Sequence, residues 1–264
     1  MKIALVDSGL GLLPAAAAVR RLRPDADLVL SCDPDGMPWG PRAGHDVAAH
    51  AVAAAEAAAA HAPDVLIVAC NTASVHALPA LRALLEPALP VVGTVPAIKP
   101  AAAGGGPVAI WATPATTGSV YQRALIADFA AGVGVAEVPC PGLADAVQYA
   151  DGPAVAAAVA AAAERTPADT RAVVLGCTHY ELVGERIRAA VQRRGAPPLV
   201  LHGSAGAVAA QALRRIGAAP RTPGEAAAEP GGLTVLLSGR EAALPDEALA
   251  YPEGRQLAAV GAVR

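Results

Sequence analysis

Short aliphatic and β-branched runs, bounded by turn formers, alternate along the chain with longer alanine-rich stretches. Such runs lack the in–out alternation of a half-exposed sheet and read as strands buried on both faces. They predict strands over 2–7, 27–32, 65–69, 90–93, 107–112, 134–138, 171–175, 198–201 and 232–237. The alanine-rich stretches predict helices over 11–23, 44–61, 74–86, 116–131, 153–165, 181–194 and 204–216, with a further one over 241–250. Strand and helix take turns almost throughout, the signature of an α/β protein with doubly wound, largely parallel sheets. The pattern also occurs twice. Ile3-Ala4-Leu5-Val6-Asp7-Ser8-Gly9 is echoed by Val108-Ala109-Ile110-Trp111-Ala112-Thr113-Pro114, and each opening strand is followed at nearly the same distance by a strand ending in cysteine. Two pseudo-symmetric doubly wound α/β domains, with the active site in the cleft between them, are the expected architecture. Gly104-Gly105-Gly106-Pro107 is a candidate hinge between the halves, and 220–231, rich in Pro, Glu, Ala and Gly, reads as an exposed loop.

Apolar residues make up 54% of the chain but aromatics only 3%, so the core must be built from Ala, Val, Leu and Ile. At 264 residues there is room for one large or two medium domains. The net charge of −3 carries no basic footprint for nucleic acid or an anionic membrane. Met1-Lys2-Ile3-Ala4-Leu5-Val6-Asp7 is not a secretory leader, and the stretch 47–60, interrupted by His50 and Glu56, is too weakly apolar for a span. The expectation is a cytoplasmic protein acting on a small molecule, with neither nucleic-acid nor membrane partners.

Chemistry concentrates at the two cysteine-terminated strands. Val65-Leu66-Ile67-Val68-Ala69-Cys70-Asn71-Thr72 and Ala172-Val173-Val174-Leu175-Gly176-Cys177-Thr178-His179 each pass from a buried run to a small residue, a thiol and then polar side chains. Ligands of open α/β sheets bind at the carboxyl ends of strands. A thiol on each wall of a cleft suits removal of a proton from one face of a carbon and delivery to the other. An unperturbed thiol is poorly ionised at neutral pH, so a helper is expected: Asp7 for Cys70 and His179 for Cys177. Asn71, Thr72 and Thr178, with nearby backbone N–H groups, can bind a substrate carboxylate and disperse enolate charge. Asp7-Ser8-Gly9-Leu10-Gly11 at a strand-to-helix turn suits a polar ligand, but lacks both the third glycine of a dinucleotide fingerprint and the Lys-Ser/Thr pair of a P-loop. The loop Asp33–Arg42, centred on Trp39, is a candidate cleft wall or lid. Cys32 and Cys140 read as small buried hydrophobes, and with no CxxC pair in the chain no metal site is expected.

These blocks, in this order, resemble the glutamate racemases of the cofactor-independent aspartate/glutamate racemase superfamily. The resemblance rests on Asp7-Ser8-Gly9-Leu10-Gly11, Pro38-Trp39-Gly40, Cys70-Asn71-Thr72-Ala73, Val92-Gly93-Thr94-Val95-Pro96-Ala97, Ala112-Thr113-Pro114 with Thr116 and Ser119, and Gly176-Cys177-Thr178-His179-Tyr180. It covers residues 1 to 216, and Leu237-Ser238-Gly239 is similar to the family's last strand. It implies a first domain over 1–97 completed by 206–264, and a second over 98–205. It assigns Cys70 and Cys177 as the acid/base thiols and Asp7 and His179 as their helpers. Ser8, Pro38, Gly40, Asn71, Thr72 and Thr178 become substrate contacts, with Trp39, Thr113 and Thr116 beside them. The implied reaction interconverts L- and D-glutamate without pyridoxal phosphate, metal or other cofactor, and supplies D-glutamate for peptidoglycan. A homodimer is a further family expectation.

The chain departs from the family pattern at four places. Leu12 stands for a glycine, Trp39 for a tyrosine, and Gly203-Ser204-Ala205 for Asp-Ser-Gly; Gln148 stands where a helpful glutamate is expected. An amide cannot act as a carboxylate, so the site's electrostatics must differ. Two alternatives follow: a sister racemase acting on aspartate or another small amino acid, and a catalytically weak racemase-like binding protein.

Overall fold

The computed structural model describes residues 1–221 and 229–261. The expected loop over 220–231 therefore lies largely outside the described residues. The chain forms two compact units, Met1–Thr94 with Ala205–Arg264, and Val95–Ser204.

In the first unit, strands β1 (Lys2–Asp7), β2 (Asp27–Cys32), β3 (Val65–Val68) and β4 (Val91–Gly93) are parallel and lie in the order β2-β1-β3-β4. The second unit repeats this order as β6-β5-β7-β8, with β5 (Val108–Ala112), β6 (Val135–Pro139), β7 (Ala172–Leu175) and β8 (Val200–His202), again all parallel. The first sheet is extended on its β2 side by β9 (Leu233–Leu237), parallel to β2, and by β10 (Arg240–Ala242), antiparallel to β9.

Helices link the parallel strands, as parallel pairing requires. They are α1 (Leu13–Leu22), α2 (Gly44–Ala59), α3 (Asn71–His76), α4 (Leu78–Leu85), α5 (Ile98–Ala103), α6 (Val120–Phe129), α7 (Leu143–Gln148), α8 (Gly152–Arg165), α9 (Gly184–Val191), α10 (Ala205–Arg215) and α11 (Pro252–Gly261). Alanine decides the packing. On α2, Val47, Ala51, Ala54, Ala55 and Ala58 recur at helical spacing and meet Ala4, Val6, Leu66 and Val68 on one face of the sheet. In the second unit Val108, Ile110, Ala172 and Val174 face Ile98, Ala101 and Ala130. Buried Arg20 fastens α1 to the segments that lead into β2 and β9: its guanidinium donates to the carbonyls of Pro24 (2.9 Å), Ala26 (2.9 Å) and Gly232 (3.0 Å).

Several local expectations are corrected. The helix expected over 241–250 is not there. Ser238 and Gly239, at φ +45° and +76°, form a two-residue turn that folds β10 back on β9; a 3₁₀ segment over Asp246–Ala250 follows. The single helix expected over 74–86 is split at Ala77, where Pro79 opens α4 and cannot continue α3. The helix expected from 181 is a 3₁₀ segment over Thr178–Val183 followed by α9. Helices α5, α7 and α11 lie outside the expected set. The triglycine lies inside the second unit, between α5 and β5, so it is not the joint between units. No described helix is long and apolar enough to cross a membrane.

Candidate active site

Each unit presents its thiol at the same point of its repeated sheet. Past β3, Ala69 N–H still donates to Val6 O (2.9 Å); past β7, Gly176 N–H donates to Trp111 O (2.7 Å). The next residue in each case is the cysteine. Cys70 has φ −131° and ψ 124°, and Cys177 φ −132° and ψ 135°. Each precedes the first turn of the following helix, α3 for Cys70 and the 3₁₀ segment for Cys177. Cys70 is 8% exposed and joins the first unit's core cluster, whereas Cys177 is partly open.

Around Cys70, Asp7 ends the neighbouring strand β1 and is wholly buried. Its Oδ1 accepts from Ser8 Oγ (3.1 Å) and Gly9 N–H (3.4 Å). Asn71 is buried and Thr72 half-buried at the start of α3. Thr94, at the end of β4, donates its hydroxyl to Val68 O (2.7 Å) and its N–H to Ser74 Oγ (2.8 Å), tying β4 to the segment that carries the thiol. Cys32 ends β2, directly opposite Asp7 in the strand register, and its S–H donates to Gly9 O (3.4 Å). Burial and the carboxylates of Asp7 and Asp33 push its thiol far up, so it stays protonated and inert, as its sequence context implied.

The loop after β2 is organised by a residue the sequence reading passed over. Asp33 is buried, and its carboxylate accepts from Trp39 Nε1–H (3.0 Å), Gly36 N–H (3.1 Å) and Ser238 Oγ (3.3 Å), and pairs with His50 Nδ1 at 2.8 Å. A Cβ on Gly36 would lie 2.1 Å from that carboxylate, so any larger residue there must displace it. Trp39, expected beside the substrate, is held inside the first unit. Its side chain is 1% exposed and packs into the first unit's core, because the indole N–H needs a buried acceptor and Asp33 supplies one. Pro38 is exposed and Gly40 partly so. The signal for Asp33 was an acid directly after a strand, three residues before a glycine.

Around Cys177, His179 Nδ1 lies 3.9 Å from Cys177 Sγ, and His179 Nε2 lies 3.0 Å from Gln148 Oε1 at the end of α7. His179 is buried, and burial pulls its pKa from 6.5 down to about 4, so the ring is neutral at neutral pH. Tyr180, fully buried, donates its hydroxyl to Cys140 O (3.3 Å); burial pushes its pKa well up. Cys140 is likewise raised by burial, to about 12. Thr178 is buried, while Thr113 and Thr116 are half-buried with hydroxyls 3.2 Å apart. Glu181, also not singled out from sequence, accepts from Ser204 N–H (2.7 Å) and Oγ (2.9 Å), fixing the departure segment Gly203-Ser204-Ala205.

Within the first unit the structure gathers Asp7, Ser8, Cys70, Asn71 and Thr72 at the ends of β1 and β3. Within the second it gathers Thr113, Thr116, Cys177, Thr178 and His179 at the ends of β5 and β7. Among the described residues no group of three or more His, Cys, Asp and Glu side chains is placed to hold a metal. Each thiol has ionisable or hydroxyl neighbours, the equipment for proton transfer.

Comparison with known proteins agrees with that chemistry. The profile of the Asp/Glu/Hydantoin racemase family matches residues 14–212. A glutamate racemase of Roseiflexus sp. (strain RS-1) is 40% identical over 196 residues, covering 71% of this chain and 70% of the relative. The solved structure of Escherichia coli glutamate racemase, in complex with L-glutamate and the activator UDP-MurNAc-Ala, is similar with a TM-score of 0.79. It is 27% identical and the match covers 98% of this chain and 95% of that one. Glutamate racemase from Thermus thermophilus, in complex with β-chloro-D-alanine, gives a TM-score of 0.66 at 27% identity, covering 98% and 92%. With a match that runs through both thiol-bearing strand ends and most of the sequence, the chain belongs to the Asp/Glu/hydantoin racemase family.

Proposed function

We propose that this protein is a glutamate racemase that interconverts L- and D-glutamate with two thiols and no cofactor. The observation that supports it most is the repeat itself: Cys70 and Cys177 occupy equivalent positions, in the same backbone conformation, of two sheets with the same strand order. In the proposed cycle one cysteine, as thiolate, takes the α-proton from one face of glutamate. The other, as thiol, gives a proton to the opposite face. The roles exchange for the reverse reaction, so atoms and charge balance over a turnover. A positioned acid or base contributes about 10²–10⁴-fold, and two are needed because inversion uses both faces. Asp7 assists Cys70 and His179 assists Cys177. Ser8, Asn71, Thr72, Thr113, Thr116 and Thr178 hold the carboxylates and ammonium through hydroxyl, amide and backbone N–H groups, with Pro38 and Gly40 in the adjoining loop. The product serves peptidoglycan synthesis in the cytoplasm, and the enzyme works as a homodimer, which light scattering would test.

The test is proton NMR of the protein with L-glutamate in deuterium oxide, no cofactor added. Loss of the α-proton signal with growth of D-glutamate is expected, and Cys70→Ala and Cys177→Ala should each abolish it. Near-normal racemisation by either variant would refute the two-thiol cycle. Exchange with aspartate but not glutamate would move the protein to a sister specificity.

A further inference from the structure

The contact between Gln148 and His179 goes further than a departure from a family pattern. Gln148 Oε1 has no proton to give, so at 3.0 Å from His179 Nε2 it must be accepting an N–H. A neutral imidazole carries one N–H. With that proton on Nε2, Nδ1 presents a bare lone pair, and the atom it faces at 3.9 Å is Cys177 Sγ. We infer that Gln148 is a positioning residue that holds His179 as the Nε2–H tautomer, so that Nδ1 presents its lone pair to the Cys177 thiol. This rests on the racemase reading above, and concerns how one of its two thiols is readied.

The fold supports the assignment. Gln148 ends α7, whose Leu143, Ala146 and Val147 are buried, and α7 packs on the 3₁₀ segment that carries His179. Neither partner of the contact is therefore on a loose loop. The two elements also bring titratable neighbours: Cys177, Tyr180 and Glu181 on the segment of His179, and Asp145 on α7. Of these, Glu181 is engaged by Ser204 and Tyr180 by the Cys140 carbonyl. Burial keeps the ring neutral at neutral pH, so a single defined tautomer is available to be selected. The Cys177 S–H can then donate to Nδ1 while Nε2–H remains bonded to the amide oxygen. A carboxylate at position 148 would hold the same tautomer and add a charge. An amide keeps the orientation and withholds the charge.

The test separates acceptor from size. Protein labelled with ¹⁵N in its histidine rings is compared as wild type, Gln148→Met and Gln148→Glu, the His179 signals being identified by their loss in His179→Asn. At neutral pH the wild type should show a protonated Nε2 and a bare Nδ1. Gln148→Met, of similar size without an acceptor, should show mixed tautomers and lose about 10²-fold in kcat, the lower end of what a positioned acid–base group supplies. Gln148→Glu should restore the Nε2–H tautomer and most of the rate. The proposal is overturned by a wild-type Nδ1–H tautomer, by an unchanged tautomer or kcat in Gln148→Met, or by Gln148→Glu being as slow as Gln148→Met. Wild-type protein that racemises no amino acid would instead overturn the functional reading, whatever the tautomer.

Discussion

Gly176→Ala tests how tightly the position of Cys177 is set by the sheet beneath it. Gly176 does not need an unusual backbone angle; it needs room. A Cβ there would sit 2.8 Å from Trp111 O and 3.1 Å from Ala112 Cβ. The first distance is roughly half an ångström inside ordinary contact, and both neighbours belong to β5. That strand cannot yield easily, because Trp111 is fully buried with its Nε1–H bonded to Thr166 Oγ1 at 2.9 Å. The end of β7 must move instead, straining the 2.7 Å bond from Gly176 N–H to Trp111 O and carrying Cys177 with it. Overpacking of this kind costs about 1–3 kcal/mol. Misplacing a reacting group by about 1 Å costs about 10²-fold, so half that shift should cost kcat roughly tenfold. The equivalent residue in the other repeat, Ala69, already carries a Cβ. Ala69→Gly should cost only the about 0.5–1 kcal/mol of added chain freedom and leave kcat near wild type. Urea unfolding and the NMR racemisation assay read both quantities. Gly176→Ala with wild-type stability and kcat would refute the reasoning.

Two further predictions concern stability. The folded pKa of His179, about 4, lies below its ordinary 6.5, so between those values the unfolded chain binds a proton that the folded chain refuses. Stability is then full above about pH 6.5, falls by roughly 3 kcal/mol as the pH drops toward 4, and levels off below; in His179→Gln this part of the decline should vanish, and urea midpoints falling in parallel for both proteins would contradict it. Arg20→Met keeps the buried stem but removes three hydrogen bonds to main-chain carbonyls, for an expected loss of about 2–3 kcal/mol; a loss below about 0.5 kcal/mol would mean that water replaces them.

All nine predicted strands are present: β1–β5 and β7 are buried and written as continuous apolar runs, a signal that needs no partner to be read, while β6, β8 and β9 are partly exposed but keep β-branched and aliphatic residues between turn formers. What stayed hidden depends on partners distant in sequence. β10 has no strand pattern: Arg240, Glu241 and Ala242 are all exposed, and only main-chain pairing with β9 across the Ser238–Gly239 turn makes them a strand. The anchoring of Trp39 is hidden because nothing local says that Asp33 will accept its N–H, nor that His50 and Ser238 will share that carboxylate. Gln148 stood out in sequence only as a missing charge; its bond to a ring thirty-one positions away gave it a role.

The candidate site was legible largely because it is written twice, and the repeat also shows where the two copies differ. Counting from the matched hydrogen bonds, Asp7 corresponds to Ala112, Ser8 to Thr113, Asn71 to Thr178 and Thr72 to His179. Hydroxyl and amide groups are matched across the repeat. The titratable neighbours are not matched. The first copy places a carboxylate on the strand beside its thiol and a threonine two residues beyond it; the second has alanine at the former position and an imidazole at the latter. A duplicated backbone thus gives two equivalent thiols, while one copy places a buried carboxyl group on the adjoining strand and the other a neutral imidazole beside its thiol. Two thiols that alternate as acid and base in each turnover must be exchangeable in position but need not be readied in the same way.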